Sequence, residues 1–377
     1  MGKYDIAAYI WPAYTGRELR ARMFWENGEG EWQTVRRAKP KFLGHAWPRV
    51  PLWGYVDEAD PKIMEMQIDE ATRHGVNVFI YDYYWYDRRP FLEQCLDDGF
   101  LGAENNKKMK FYLMWANHNA NHLWDRRLSG SECGSTVIWQ GGIDFAEFRR
   151  MASRLMDKYF HLENYYKING CPVFMIYEIA TFVSGMGSME TAKEALLWMR
   201  AHAREMGFPD LHIQITARGS KTVNISGIDS DTRIDSRELI ELLGINSFTH
   251  YQYVHMTNVD RDFSEVAADA ERIRDTAEEE YGIPYYAHVS CGWDNNARFK
   301  DVFKPGIIKN NTPEAFEKAL RGAKEYTDKI IAKDPTRVPL ITVNSWNEWT
   351  EASYLEPDNI YGYGYLDAIK RVFSEEN

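Results

Sequence analysis

The chain has 377 residues, of which 44% are hydrophobic and 27% charged, and its formal charge is −11. That balance suits a globular protein with a large core and argues against nucleic acid or an anionic membrane as a partner, since both would be repelled. No apolar run is long enough to span a bilayer. The opening Met1-Gly2-Lys3-Tyr4-Asp5 lacks the apolar centre of a signal peptide, and Cys95, Cys133, Cys171 and Cys291 make neither a C-x-x-C pair nor a disulfide framework. A reduced, cytoplasmic protein is the expectation.

One pattern repeats along the chain: a short apolar strand, then a longer amphipathic segment. Strands are predicted at Tyr4–Ile10, Val76–Asp82, Lys110–Trp115, Pro172–Tyr177, Leu211–Thr216, Gly244–Phe248, Pro284–Val289 and Pro339–Asn344. Apolar spacing of three and four predicts helices at Pro61–His74, Asp144–Tyr159, Met189–Met206, Ser236–Leu243, Arg261–Tyr281, Pro313–Ala332 and Gly364–Phe373, with a short one at Pro90–Leu96. Asp60-Pro61 and Thr312-Pro313 place a cap residue before a first-turn proline, and Gly75, Gly207, Gly244 and Gly282 sit where helices should end. Strands alternating with helices imply a parallel sheet, and eight of them imply an α/β fold of the closed (β/α)₈ (TIM) barrel type. An open doubly wound sheet would carry a glycine-rich turn after its first strand, where this chain reads Trp11-Pro12-Ala13-Tyr14. No linker divides the chain, so one barrel domain is expected, with long loops after the first and third strands.

Ligands of barrels bind at the carboxyl ends of the strands, and each strand end here carries aromatic or polar groups. In order these are Trp11; Asp82, Tyr83, Tyr84 and Trp85; Trp115, Asn117 and His118; Tyr177 and Glu178; Arg218; His250 and Tyr251; His288 and Trp293; and Asn344, Trp346 and Asn347. Flat rings and hydrogen-bonding tips together are what a sugar needs, its C–H faces on rings and its hydroxyls on polar groups. Trp115, Tyr84, Trp346 and Trp293 are expected as stacking walls, with Asp82, Asn117, His288 and Asn347 bonding hydroxyls. After the eighth strand, Ser345-Trp346-Asn347-Glu348-Trp349-Thr350-Glu351 sets two carboxylates three residues apart. If the chain turns helically there, the two acids share a face, and paired carboxylates beside aromatics are the equipment of a glycosidase.

Other constellations compete. His118 and His122 have the spacing of helical metal ligands, but no third ligand accompanies them. Asp229, Asp231 and Asp235 hint at a calcium loop, which Arg233 and Ile234 spoil. Neither a metal nor an organic cofactor is therefore expected. Glu178 and Asp294 form a rival catalytic pair, since strand-end acids recur in barrel enzymes.

The eighth-strand motif, with Phe42-Leu43-Gly44-His45, Pro51-Leu52-Trp53-Gly54-Tyr55, Tyr83-Tyr84-Trp85, Trp115-Ala116-Asn117, Asn169-Gly170-Cys171-Pro172 and Tyr354-Leu355-Glu356-Pro357-Asp358, resembles the WbsX-like proteins over nearly the whole chain. More distantly, Glu348-Trp349-Thr350-Glu351 is similar to the Glu-Trp-His-Glu of glycoside hydrolase family 99, endo-α-mannosidases and endo-α-mannanases, with Thr350 in place of the histidine. The resemblance implies a glycoside hydrolase on an α-linked, mannose-type oligosaccharide or polysaccharide, retaining configuration. It implies that Glu351 is the general acid and base and that Glu348 activates the sugar's own 2-hydroxyl or water, and it adds His45 and Tyr354 to the substrate-binding set. The WbsX-like proteins carry a glycosyltransferase label, which leaves a polysaccharide-building transferase, or a non-catalytic carbohydrate-binding barrel, as alternatives.

Overall fold

The computed structural model describes residues 3–227 and 232–374. Eight parallel strands make the barrel: β1 (Asp5–Ile10), β2 (Val78–Tyr86), β3 (Lys110–Trp115), β4 (Cys171–Ile176), β5 (His212–Thr216), β6 (Ser247–Thr249), β7 (Ala287–Ser290) and β8 (Leu340–Asn344). Their order in the sheet is β6-β5-β4-β3-β2-β1-β8-β7. Phe248 of β6 bridges Tyr285, just ahead of β7, and this contact closes the ring. The strands are apolar because both faces are covered, one by the barrel interior and one by helices.

The helices are α1 (Trp32–Arg36), α2 (Pro61–Arg73), α3 (Phe145–Leu155), α4 (Ile179–Met186), α5 (Met189–Glu205), α6 (Ser236–Leu243), α7 (Phe263–Tyr281), α8 (Pro313–Lys333) and α9 (Gly364–Phe373). Their starts follow the cap chemistry: Asp60 accepts from the Lys62 amide, and Thr312 from the Ala315 amide, each before a proline without an N–H. Helix α7 begins two residues later than predicted because Asp262 accepts from Ser264 N and caps it there. No helix among the described residues is long and apolar enough to cross a membrane.

Two departures from the predicted elements matter for the site. Strand β2 does not stop at Asp82; it runs to Tyr86, because Arg89–Phe91 folds back and pairs antiparallel with Tyr84–Tyr86. In place of the helix expected at Pro90–Leu96 stand that return strand and a π-type turn at Cys95–Phe100. The segment after β1, residues 11–60, holds α1 and a 3₁₀ turn at Leu19–Met23. The one after β3, residues 116–144, holds a 3₁₀ turn at His122–Trp124 and a ribbon of Ala120–Asn121 with Val137–Trp139.

Polar side chains cross-link the strands. Tyr9 OH donates to the His250 carbonyl (3.0 Å), Tyr112 OH to Gln214 (3.1 Å), and Thr249 and Thr342 share a hydroxyl contact at 2.8 Å. Each is satisfied within the fold, as burial requires.

Gly244 ends α6 in the left-handed region (φ +65°), with open space where a Cβ would be. Gly244→Ala should therefore lower unfolding stability through backbone strain alone, by roughly 1–2 kcal/mol, read as a lower urea midpoint with an unchanged m-value. An unchanged midpoint would refute that account.

Candidate active site

The motif after β8 folds on its own hydrogen bonds. Ser345 Oγ accepts from the Glu348 amide (2.7 Å), Asn347–Glu348 pairs with Ser353–Tyr354 as a short ribbon, and Trp349–Glu351 makes one 3₁₀ turn. In that turn residues three apart eclipse, so Glu348 and Glu351 face the same way. Both meet one cation. Arg298, from the turn Asn295–Arg298 after β7, donates through Nη2 to Glu348 (2.7 Å) and through Nη1 to Glu351 (2.8 Å). Its Nε lies 3.5 Å from Glu31, whose other oxygen accepts from Trp11 Nε1 at 2.6 Å.

Charge counting decides the electrostatics. Three carboxylates, Glu31 and Glu348 buried and Glu351 partly so, share one buried guanidinium. Burial raises all three acids; Arg298 opposes the rise, while Glu351 adds repulsion at Glu348. Glu348 is pushed furthest, and the protons of so close a pair belong to the pair rather than to either residue. A carboxyl kept protonated toward neutral pH is what acid catalysis needs. Of the two side chains, Glu351 is the more open, 12% exposed against 3%.

The acids sit in a cleft lined also by Trp11, Asp82, Tyr84, Met114, Ala116, His118, Leu123, Trp124, Tyr177, Tyr251, His255 and Trp293. Asp82 Oδ2 accepts from Tyr251 OH (3.2 Å), while its Oδ1 is buried without a partner, and burial raises its pKa well above the carboxylate range. Burial lowers His118 to about 4 and His255 to about 3, so both imidazoles are neutral at neutral pH. Trp124 meets Trp11, Tyr84 and His118 and completes an aromatic wall.

Of the sequence-predicted residues, the structure gathers Glu348, Glu351, Trp11, Asp82, Tyr84, His118, Tyr177, Tyr251 and Trp293 around this cleft. Others must be reassigned. On β2 side chains alternate, so Tyr83 and Trp85 point to the helices, where Arg154 donates to the Tyr83 hydroxyl and Trp85 Nε1 donates to Glu147. Trp115 packs on Phe148 and Phe182, and Trp346 packs on Phe79 and donates to Gln67. Asn117 holds the backbone of Glu178, and Asn347 clamps that of Trp11. His288 bonds Thr342 and Ser290, Asn344 bonds Gln252, and His250 bonds Tyr285. Tyr354 stacks on Trp349 and donates to Asp358. All of these are framework groups rather than cleft walls.

Glu178 and Arg218 pair at 2.6 Å and line a separate cavity of about 280 Å³. Asp294 lines yet another cavity. Despite burial its carboxyl is held below the usual range, because His45 and Trp47 donate to one oxygen and Asn296 to the other. The rival acids thus face different spaces. His122 opens the turn that carries Trp124, and Asp235 caps α6; Asp229 and Asp231 lie outside the described residues. No group of three or more potential metal ligands occurs among the described residues. Arg298, Glu31, Trp124 and His255 were missed, since nothing local in the sequence marks them; only their convergence does.

A family model described as glycosyltransferase WbsX matches residues 6–369. The chain belongs to that family. An uncharacterized protein, WxcX, of Xanthomonas campestris pv. campestris is 26% identical over 359 residues, covering 93% of this chain and 47% of its own length. The chain thus spans about half the length of the curated relatives it matches. Among solved structures, the GH99 endo-alpha-mannosidase from Bacteroides thetaiotaomicron superposes with a TM-score of 0.61 at 13% identity, covering 98% of this chain and 96% of that one. A GH1 beta-glucosidase from Humicola insolens gives 0.52 at 11%, covering 99% and 98%. At such identities the likeness is one of fold.

Behind the motif lies a second acidic pair. Gln67 Nε2 donates to Glu356 (2.9 Å) and stands 3.5 Å from Glu58; Asn347 donates to Glu58 and Trp349 Nε1 to Glu356. Burial lifts Glu356 from about 4.5 to about 8. The folded state therefore keeps a proton that the unfolded chain loses, so stability is fully present below pH ~4.5 and falls as pH rises through about 8. Urea unfolding across that window should show the decline, and Glu356→Gln should flatten it; a wild-type curve that rises instead would contradict the assignment.

Proposed function

We propose that this chain is a glycoside hydrolase acting on an α-linked, mannose-type glycan, with Glu348 and Glu351 as its working carboxylates. One observation carries the reading: two carboxylates, Glu348 buried and Glu351 partly open, are spanned by Arg298 at the strand ends, in a cleft walled by aromatic rings. The rings supply faces for sugar C–H groups, and Asp82 offers an unpartnered carboxyl oxygen to a hydroxyl. Glu351, the more open acid, carries the proton that the pair shares, which leaves Glu348 ionised; it delivers that proton to the departing oxygen and afterwards serves as base. Glu348, deeper and held by Arg298, takes the proton from the attacking group, the sugar's own 2-hydroxyl or water. Configuration is retained in the first case. The GH99 superposition, though limited to fold, supports mannose as the first sugar to try.

The family's description raises a second reading, transfer from a nucleotide sugar. Charge weighs against it. The one cation in the cleft lining, Arg298, is already occupied by Glu348 and Glu351, so a diphosphate would find no free positive charge there.

Incubation with an α-linked oligosaccharide library, read by mass spectrometry, should release sugar. Glu351→Gln should lose about 10²–10⁴-fold in turnover while still binding glycan. Release of sugar from no glycan, together with a large thermal shift on adding a nucleotide sugar, would establish transfer instead. Normal turnover in both Glu348→Gln and Glu351→Gln would remove the pair from the mechanism.

A further inference from the structure

Trp293 has two sides. One faces the catalytic cleft; the other lines a cavity of about 330 Å³ that also touches Ala352, the residue after Glu351. Arg49 lines this second cavity and is only 7% exposed. Among the described residues its one side-chain hydrogen bond is a long one, 3.4 Å from Nη1 to the Tyr354 hydroxyl, and its Nε is buried without a partner. The Trp47 and Tyr354 rings stand 5.5 and 5.7 Å away.

Among the described residues three arginines are buried. Arg200 pairs with Asp210, and Arg298 with the catalytic glutamates, whereas Arg49 has no carboxylate within ion-pair distance. The acids nearby are committed to other partners: Asp294, which lines this same cavity, to His45, Trp47 and Asn296, and Asp358 to Tyr354 and the amides of Ile360 and Tyr361. Lys309, the cavity's other cation, is exposed and 3.5 Å from Asp260. A buried, unpaired guanidinium is costly, and in a chain of net charge −11 an internal partner would have been easy to supply. Its planar fork matches a carboxylate or phosphate. Phe42, half-exposed at the cavity, offers an apolar face beside it.

We propose that this cavity is a second saccharide subsite that binds an oxyanion, a carboxylate or a phosphate, on the sugar unit next to the one held in the catalytic cleft. Trp293 separates the two units. The glycosidase reading supplies the neighbouring sugar; the anion preference stands on Arg49 itself.

The test is calorimetric titration of the full chain, at constant ionic strength, with sodium glucuronate, glucose 6-phosphate, inorganic phosphate and methyl glucoside. At least one anionic sugar should bind tenfold or more tighter than methyl glucoside, and which one does so identifies the group. Arg49→Gln should bring that affinity to the neutral sugar's level. Should that variant fail to fold, Ala46→Glu, which sets a competing carboxylate at an exposed position in the lining, should do the same with an unchanged circular dichroism melt. Equal binding of charged and neutral sugars, a preference that survives Ala46→Glu, or inorganic phosphate binding as tightly as the sugar phosphate would overturn the proposal. Because the readout is binding, a chain with no glycosidase turnover still answers the question.

Discussion

The fork of Arg298 onto Glu348 and Glu351 is the contact on which the rest of the site depends. Without that guanidinium, Glu31, Glu348 and Glu351 would be three like charges in a buried space, and such a space excludes ionised groups unless they are paired. With it, the cluster still carries more acid than base, so its carboxyls hold protons more firmly than free carboxyls do. One cation thereby sets the positions of the acids and leaves a carboxyl able to give up a proton. The fork also ties the loop after β7 to the motif after β8, so neither loop is placed alone.

The scaffold around that fork is a set of commitments made by polar groups inside the walls. Asn347 bonds the backbone of Trp11 on both its N–H and C=O, and Trp11 then donates to Glu31. Trp346, Asn347 and Trp349 each reach into the Gln67, Glu58 and Glu356 network. A motif so anchored presents its acids on a rigid base, which is the condition for preorganised electrostatics. The cost is a buried acidic pair with no cation among the groups that hold it, and pH is the variable that exposes that cost.

Charge is unevenly distributed across the active face. The main cleft is acidic with a satisfied cation, and the cavity beyond Trp293 has an unsatisfied one. The two spaces share a ring and differ in sign, so a substrate spanning them would be neutral where it reacts and anionic where it is gripped. Binding energy taken up away from the reacting bond can be used to position it.

Much of this was legible in the sequence. The alternation of apolar strands with capped helices located all eight strands, five of them within one residue of their observed bounds, while β2 runs on past its predicted end and β6 and β7 start three residues later than predicted; a strand buried on both faces and a helix with one apolar stripe leave different periods in the chain. The Glu348-Trp349-Thr350-Glu351 spacing was legible for the same local reason, a single turn bringing residues three apart together. What a sequence window does not contain is which way a side chain at a strand end points. Tyr83 and Tyr84 are adjacent letters, yet the extension of β2 to Tyr86 sends one to the helices and the other to the cleft. Trp115 and Trp346 were lost to the core in the same way. Arg298, 50 residues before Glu348 in the chain, could be recognised only once the parallel pairing of β7 with β8 set their following loops side by side. The sequence by itself determined the strands, the caps and the pair of acids, which are local properties of the backbone. Tertiary structure decided which rings line the cleft, which cation balances the acids and which arginine is left without a carboxylate among the described residues, because those depend on distances between residues remote in the chain.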